Sequence, residues 1–143
     1  MAIITMLLSS ALYLSSHQPE VGLGTIYGYK GDAYNQYGTY ACQAVITRKY
    51  GRNQWAQALK YGVAHRTLPC GKAIMVCNRR NHLCATMYVV DRGPYGAIDQ
   101  YGKWRPATKL KPGEKYRGVI DMLPNAAAAI ALNGLDRVAI WQR

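Results

Sequence analysis

Short apolar runs dominate the second half of the chain. The runs Lys72 to Cys77 and Cys84 to Val90 are rich in β-formers and flank a polar, turn-prone stretch from Asn78 to Leu83. This arrangement predicts a β-hairpin. Val119 to Asp121 and Val138 to Trp141 predict two further short strands.

Helical patterning is confined to two short segments. Gln54 to Tyr61 places its apolar side chains on one side of a helix. Pro124 starts a second helix over Asn125 to Leu132, and Asn133-Gly134 is its stop signal. The pattern therefore predicts a mainly β protein with one or two short helices.

Three segments show neither the alternation of a strand nor the periodicity of a helix. Val21 to Tyr40 is dense in Gly and Tyr, which is typical of loops and short strands. Its tyrosines offer a stacking surface for sugars or bases, or else they pack the core of a chain that has no Phe. Residues 100–117 predict a basic loop punctuated by Pro and Gly. Met1 to Leu14 is apolar and uncharged, and it is interpreted either as a secretory signal or, since the first basic residue is Lys30, as a retained N-terminal arm.

The composition narrows the class of protein. The chain has 143 residues, of which 50% are hydrophobic, and this is enough for one domain with a substantial core. No apolar segment is long enough to span a bilayer. A count of 18 Lys and Arg against 7 Asp and Glu gives a net charge of +11. The excess predicts an anionic partner, which is nucleic acid, a membrane surface or a wall polymer.

The four cysteines allow more than one interpretation. Their spacing contains no C-x-x-C pair, so no zinc site and no other metal or cofactor is predicted. The predicted hairpin brings Cys77 and Cys84 across from each other, which leaves Cys42 and Cys70 as a second disulfide. Disulfides would place the protein outside the cytosol. The alternative is four reduced, buried cysteines.

Three motifs resemble segments of one known family. Residues 64–71 read AHRTLPCG, residues 89–95 read VVDRGPY, and residues 119–124 read VIDMLP before an alanine run. All three resemble, in order and type, the corresponding segments of rare lipoprotein A and related double-psi β-barrel proteins. The resemblance covers residues 37–143.

The resemblance implies a six-stranded double-psi β-barrel over residues 37–143, preceded by an N-terminal arm over residues 1–36. The basic segment 100–117 is longer than expected between two family motifs and is interpreted as an insertion beside the site. The lipid-accepting Cys of a lipoprotein is missing near the start, because the first Cys is Cys42.

The resemblance also implies a site. The acid/base Asp of the family falls on Asp91 and its active-site His on His65, while Asp121 lines or supports the same groove. For Arg92 the preferred interpretation is a structural ion pair with Asp121, and Gly93 is expected in a tight turn. Other expected substrate-binding or supporting residues are Arg66, Tyr95 and Trp104, and further candidate carboxylates are Asp32, Asp99 and Glu114.

The implied activity is cleavage of peptidoglycan glycan strands, as a lytic transglycosylase or a hydrolase. The protein would act in the periplasm, as a secreted enzyme or in a phage tail, where the arm could dock onto neighbouring virion subunits. The alternative is a non-catalytic glycan-binding or virion structural module with the same barrel. Nucleic acid ranks last among the partners because no binding motif accompanies the charge.

Overall fold

The computed structural model describes residues 18–32, 39–98, 104–106, 112 and 118–142. Within these ranges the strands are β1 Glu20–Ile26, β2 Gly62–Ala64, β3 Ala73–Asn78, β4 Cys84–Asp91, β5 Gly96–Ile98, β6 Trp104–Pro106, β7 Gly118–Met122 and β8 Leu135–Gln142. The helices are α1 Gln43–Tyr50, α2 Arg52–Lys60 and α3 Pro124–Ala129.

Six of the strands close into a barrel in the order β1-β7-β2-β4-β3-β8. The pairs β1–β7 and β2–β4 are parallel, and the other pairs are antiparallel. The prediction of a mainly β protein with a closed six-stranded barrel is therefore confirmed.

The barrel interior is the hydrophobic core. Burial alternates along β3 and β7 with the period of two that a strand imposes when one face is covered. Ile74, Met87 and Ile120 are among the fully buried side chains that fill this interior. The core therefore holds the strand register that positions the polar residues at the strand ends.

Both predicted disulfides are present. Cys77 and Cys84 are register partners on β3 and β4, and they are bonded across the predicted hairpin. Cys42 and Cys70 form the second bond and join the start of α1 to the turn before β3.

The barrel begins earlier than the predicted boundary at residue 37. Strand β1 pairs with β8 over six register positions and with β7 on its other side, so residues 20–26 belong to the barrel and not to an arm. Its glycines are needed because neighbouring side chains occupy the space of a Cβ: one built on Gly22 would lie 2.3 Å from Val119 Cγ1. These glycines also explain why the composition of the segment is typical of loops and short strands.

The described residues contain three helices instead of one or two. The additional helix, α1, carries the β-branched residues Val45, Ile46 and Thr47, which obscure a helical pattern. Ile46 is buried, and the Cys42–Cys70 disulfide fixes the start of the helix. Tertiary contacts therefore stabilise a segment whose local propensity is low.

The predicted loop 100–117 is partly a strand. Trp104–Pro106 forms β6, which pairs antiparallel with β5 in a separate two-stranded sheet. The rest of that segment, apart from Pro112, lies outside the described residues, as do Asp99 and Glu114. So do residues 1–17 and the docking surface predicted for them. No helix among the described residues is long and apolar enough to cross a membrane.

Candidate active site

An open cleft of about 740 Å³ lies at one end of the barrel. Three carboxyl side chains line it, those of Asp32, Asp91 and Asp121. The other residues of its wall come from the end of β1 and the residues after it, the residues before α1, the end of β2, the segment after β4 and the start of β8: Thr25, Ile26, Tyr27, Tyr29, Thr39, Ala64, Arg92, Gly93, Pro94, Tyr95, Asn133, Gly134 and Leu135.

Strand register places two of these carboxyl groups at the same level of the barrel. Ala64 on β2 is the register partner of Asp91 on β4 and of Asp121 on β7. The Cα atoms of the two aspartates are thus separated by two strand spacings, about 9 to 10 Å. The two predicted acidic positions, which are 30 residues apart in the sequence, therefore face one cleft.

Asp91 is held by three hydrogen bonds. Its Oδ1 accepts from the backbone N–H groups of Ala41 at 2.8 Å and Arg92 at 2.9 Å. Its Oδ2 accepts from the phenol of Tyr27 at 3.1 Å. This set of donors fixes the orientation of the carboxylate toward the cleft.

Asp121 has a different environment. Among the described residues only Thr25 hydrogen-bonds its carboxyl group, donating to Oδ1 at 2.9 Å. The pKa of Asp121 is raised to about 7, chiefly by burial and to a smaller extent by the negative charges of Asp32 and Asp91, against the lowering effect of the Thr25 hydrogen bond. Asp121 is thus a carboxylic acid that holds its proton close to neutral pH.

Two tyrosines accompany the carboxyl groups. Burial and the adjacent Asp91 raise the pKa of Tyr27 far above its ordinary value, and the same two causes raise the pKa of Tyr40. The Tyr27 phenol therefore keeps its proton and acts as a hydrogen-bond donor. The sequence does not identify Tyr27 or Thr25 as site residues. Their position at the end of β1 could have indicated them, but β1 is not predicted from the sequence.

Asp32 closes the side of the cleft formed by the segment after β1. It is buried, and its Oδ2 accepts from the backbone N–H of Gly28 at 2.6 Å. Its side chain stabilises the local turn, and its charge raises the pKa of Asp121. Asp32, predicted as a further candidate carboxylate, thus lies in the same cleft as Asp91 and Asp121.

His65 does not direct its ring toward Asp91. The ring is buried, with 4% of the residue exposed. Its Nδ1 accepts from the backbone N–H groups of Thr67 and Leu68, both at 3.1 Å, and its Nε2 lies 2.9 Å from a carboxylate oxygen of Glu20. Both ring nitrogens are thus occupied by protein groups, which gives the ring a structural role, and its assistance to catalysis stays a prediction.

The predicted ion pair between Arg92 and Asp121 is wrong for the described structure. The Arg92 guanidinium donates to the backbone carbonyls of His65 and Leu68, and its Nη2 lies 3.4 Å from Cys70 Sγ. Carbonyls of the turn 65–70 therefore take the place of a carboxylate partner. Asp121 lies on β7, which is separated from β4 by β2. Arg92 therefore fastens this turn beneath the cleft.

Arg66 also supports the cleft. It donates to the carbonyls of Pro94 and Gly118, each at 2.7 Å, and so joins the segment after β4 to the start of β7. Gly93 lines the cleft at a φ of 133°, a conformation that favours glycine. Tyr95 lines the cleft and is 44% exposed. Trp104 lies in β6, and its side chain is outside the described part of the structure.

No group of three or more His, Cys, Asp or Glu side chains in the described ranges has the geometry to hold a metal ion.

Neither the protein-family models nor the curated proteins contain a match to this chain.

Proposed function

We propose that this protein is a peptidoglycan-cleaving enzyme, a lytic transglycosylase that acts on the glycan strand. The observation that carries the proposal is the pairing, in one open cleft, of a carboxylic acid with a pKa of about 7 and an oriented carboxylate. Cleavage of a glycosidic bond needs a proton for the leaving oxygen and negative charge beside the oxocarbenium-like centre. Asp121 supplies the first and Asp91 the second.

The substrate class follows from three further observations. The motifs of residues 64–71, 89–95 and 119–124 resemble those of double-psi barrel proteins that act on β-linked glycans. The net charge of +11 suits a polymer that carries stem-peptide carboxylates. The two disulfides are compatible with an extracytoplasmic protein, and peptidoglycan lies outside the cytosol.

The proposed reaction uses Asp121 twice. Its carboxyl group gives a proton to the glycosidic oxygen as the bond from that oxygen to C1 breaks, and the Asp91 carboxylate stabilises the positive charge at C1. The Asp121 carboxylate then takes the proton of the C6 hydroxyl, whose oxygen bonds to C1 and gives a 1,6-anhydro end. The acid is thereby restored and no water is consumed.

This assignment exchanges the roles predicted for the two aspartates. Asp91 accepts three hydrogen bonds from protein donors, whereas Asp121 is the group whose surroundings favour the protonated form. Tyr27 holds Asp91 in place, and the exposed Tyr95 offers a ring at the cleft for a sugar face.

The test is digestion of purified peptidoglycan with mass spectrometry of the released fragments. Wild-type protein is expected to release anhydro-muropeptides, and Asp121→Asn to reduce the rate about 10²- to 10⁴-fold, which is the usual contribution of a general acid. The wild-type rate should fall as the pH rises through about 7, because Asp121 then loses its proton.

Asp136→Asn is the matched control. The Asp136 carboxylate binds Arg80 and does not line the cleft, so this variant should keep the wild-type rate once circular dichroism shows that it is folded. Fragments with reducing ends would instead indicate hydrolysis. A pH profile that changes in Asp91→Asn and not in Asp121→Asn would return the acid role to Asp91. No release by wild-type protein would overturn the enzyme and favour a binding module.

A further inference from the structure

A second groove lies between the α1–α2 helix pair and the barrel wall. It has a volume of about 570 Å³ and shares no lining residue with the acidic cleft. Its polar and aromatic walls are formed by Tyr50, Gln54, Gln57, Lys60, Tyr61 and Tyr88. We call it the tyrosine groove.

The helix pair presents these side chains as one surface. Gln54, Gln57 and Lys60 follow one another at intervals of three along α2 and its end, so they share a helix face. Tyr88 forms the floor on β4, and its backbone N–H donates to the Tyr61 carbonyl at 3.0 Å. The groove is therefore built on fixed elements and not on a loose loop.

Two of its aromatic rings are presented to solvent. Tyr50 is 54% exposed and Tyr61 is 37% exposed. Each ring has a lysine beside it: Lys49 Nζ lies 5.2 Å from the Tyr50 centroid, and Lys60 Nζ lies 5.8 Å from that of Tyr61. Such rings offer an apolar face together with a hydroxyl group.

The chain segment that contains the groove residues is positively charged, and its Lys60 lines the groove. Residues 33–90, which include both helices and the floor residue Tyr88, contain no Asp or Glu. Their eight basic residues are Arg48, Lys49, Arg52, Lys60, Arg66, Lys72, Arg79 and Arg80. The acidic cleft and this basic segment therefore carry opposite charge, and an anionic ligand is attracted to the segment.

We propose that the tyrosine groove is a second glycan-binding site, which holds a carboxylate-bearing amino-sugar polymer away from the reacting bond. Tyrosine rings stack on sugar faces, glutamine amides both donate to and accept from hydroxyl and acetamido groups, and lysines pair with carboxylates. The polymer class rests on the proposed function. Tyr88 and Asp91 are three residues apart on β4, about 10 Å along the strand, so the groove and the cleft lie near each other on the barrel.

The first experiment measures co-sedimentation with insoluble peptidoglycan, using the Asp121→Asn protein so that the polymer stays intact. Tyr50→Ala/Tyr61→Ala and Gln54→Ala/Gln57→Ala should each weaken binding about tenfold, the equivalent of one or two lost contacts. Lys60→Glu should weaken it more than Arg79→Glu, which makes the same charge change at the exposed hairpin turn. Equal binding by all variants would overturn the proposal.

The second experiment separates this site from the cleft. In an otherwise wild-type background, Tyr50→Ala/Tyr61→Ala should keep its rate on short soluble muropeptides and lose rate on intact peptidoglycan. If no substrate is cleaved and the groove variants still lose binding, the groove is confirmed and the proposed enzyme fails. If single-stranded DNA displaces the protein from peptidoglycan, and the groove variants lose DNA binding equally, the groove is a nucleic-acid site and the glycan proposal is wrong.

Discussion

Asp121 is a residue whose surroundings oppose its ionisation, and this has a measurable consequence for stability. Its pKa is 3.8 in a model peptide and about 7 in the folded protein. Below pH 4 both states hold the proton, whereas between pH 4 and 7 only the folded state does. Stability contributed by this group therefore falls as the pH rises through that window, and it levels off above pH 7.

We therefore expect Asp121→Asn to raise the free energy of unfolding at pH 8 and not at pH 4. Three pH units correspond to an upper value on the order of 4 kcal/mol. Asparagine can still accept the Thr25 hydrogen bond, so folding is preserved. Urea unfolding at pH 4, 6 and 8 measures the difference.

The control variant, Asp136→Asn, should change the free energy of unfolding in the opposite direction. The hydrogen bond from Arg80 lowers the pKa of Asp136 to about 2, so its stabilising effect is present above pH 4 and is lost as the pH falls toward 2. Asp136→Asn should lower stability at pH 8. If Asp121→Asn also lowers the free energy of unfolding at pH 8, the buried charge of Asp121 does not destabilise the folded state, and the prediction is wrong.

The structural role of His65 gives a second residue-scale prediction. His65→Ala leaves the N–H groups of Thr67 and Leu68 without an acceptor, which costs about 1 to 3 kcal/mol for the buried N–H of Leu68 and less for that of the exposed Thr67. His65→Asn returns an acceptor oxygen near the position of Nδ1. We expect the asparagine variant to recover much of the stability in thermal melts and to keep the wild-type pH profile of cleavage. A profile that changes equally in both variants would restore a catalytic role.

Residue roles were only partly predictable from the sequence. The motifs around Asp91 and Asp121 point to two of the three carboxyl groups that line the cleft. They could not identify Tyr27 or Thr25, because these residues contact them across 64 and 96 positions of sequence. They also could not show that the nitrogens of His65 are occupied, because that depends on Glu20 and on the path of the turn after β2.

At the scale of elements, the Cys42–Cys70 disulfide joins two segments that support Asp91. Ala41, next to Cys42, donates its N–H to Asp91, and Cys70 ends the turn that Arg92 fastens. The bond therefore constrains the geometry of the cleft as well as the unfolded chain. The Cys77–Cys84 bond closes a hairpin whose strands already pair.

The two disulfides should consequently contribute unequally. Sequence separations of 28 and 7 residues predict stabilisation of about 3.5 and 2.5 kcal/mol from loop entropy. We expect Cys42→Ser/Cys70→Ser to lower both stability and cleavage, and Cys77→Ser/Cys84→Ser to lower stability less and leave cleavage unchanged. Chemical denaturation and the peptidoglycan assay, run on both double variants, test this. Equal loss of activity would contradict the link to Asp91.

Elements with local signals were predicted well, and those set by distant contacts were not. The hairpin between Cys77 and Cys84 follows from two β-rich runs and a polar turn, all within 20 residues. Strand β1 carries glycines because Val119 and Met122 on β7 occupy the space above them. Its composition is therefore set by the neighbouring strand and not by a local preference for loop conformation. Helix α1 likewise depends on burial of Ile46 and on a disulfide.

At the scale of the whole molecule, charge is divided between two regions. The cleft collects three carboxyl groups, whereas residues 33–90 carry eight basic residues and no acidic one. The carboxyl groups of the cleft interact with a bound substrate over a few ångströms, within a partly buried site. Capture of an anionic polymer by the basic segment acts over distances that salt screens, about 10 Å at 0.1 M and 3 Å at 1 M ionic strength.

Salt should therefore affect capture and chemistry differently. Between 50 mM and 1 M NaCl we expect KM for peptidoglycan to rise about fivefold or more while kcat stays constant, because exposed charges are screened and the cleft charges are not. Peptidoglycan with amidated stem peptides has fewer carboxylates and should show a flatter KM response. Lys60→Glu should also flatten it, and Arg79→Glu should do so less if the tyrosine groove is the point of capture. A fall in kcat at constant KM would instead show that the salt-sensitive step takes place in the cleft. The assignment of capture to the basic segment and of chemistry to the cleft would then be wrong.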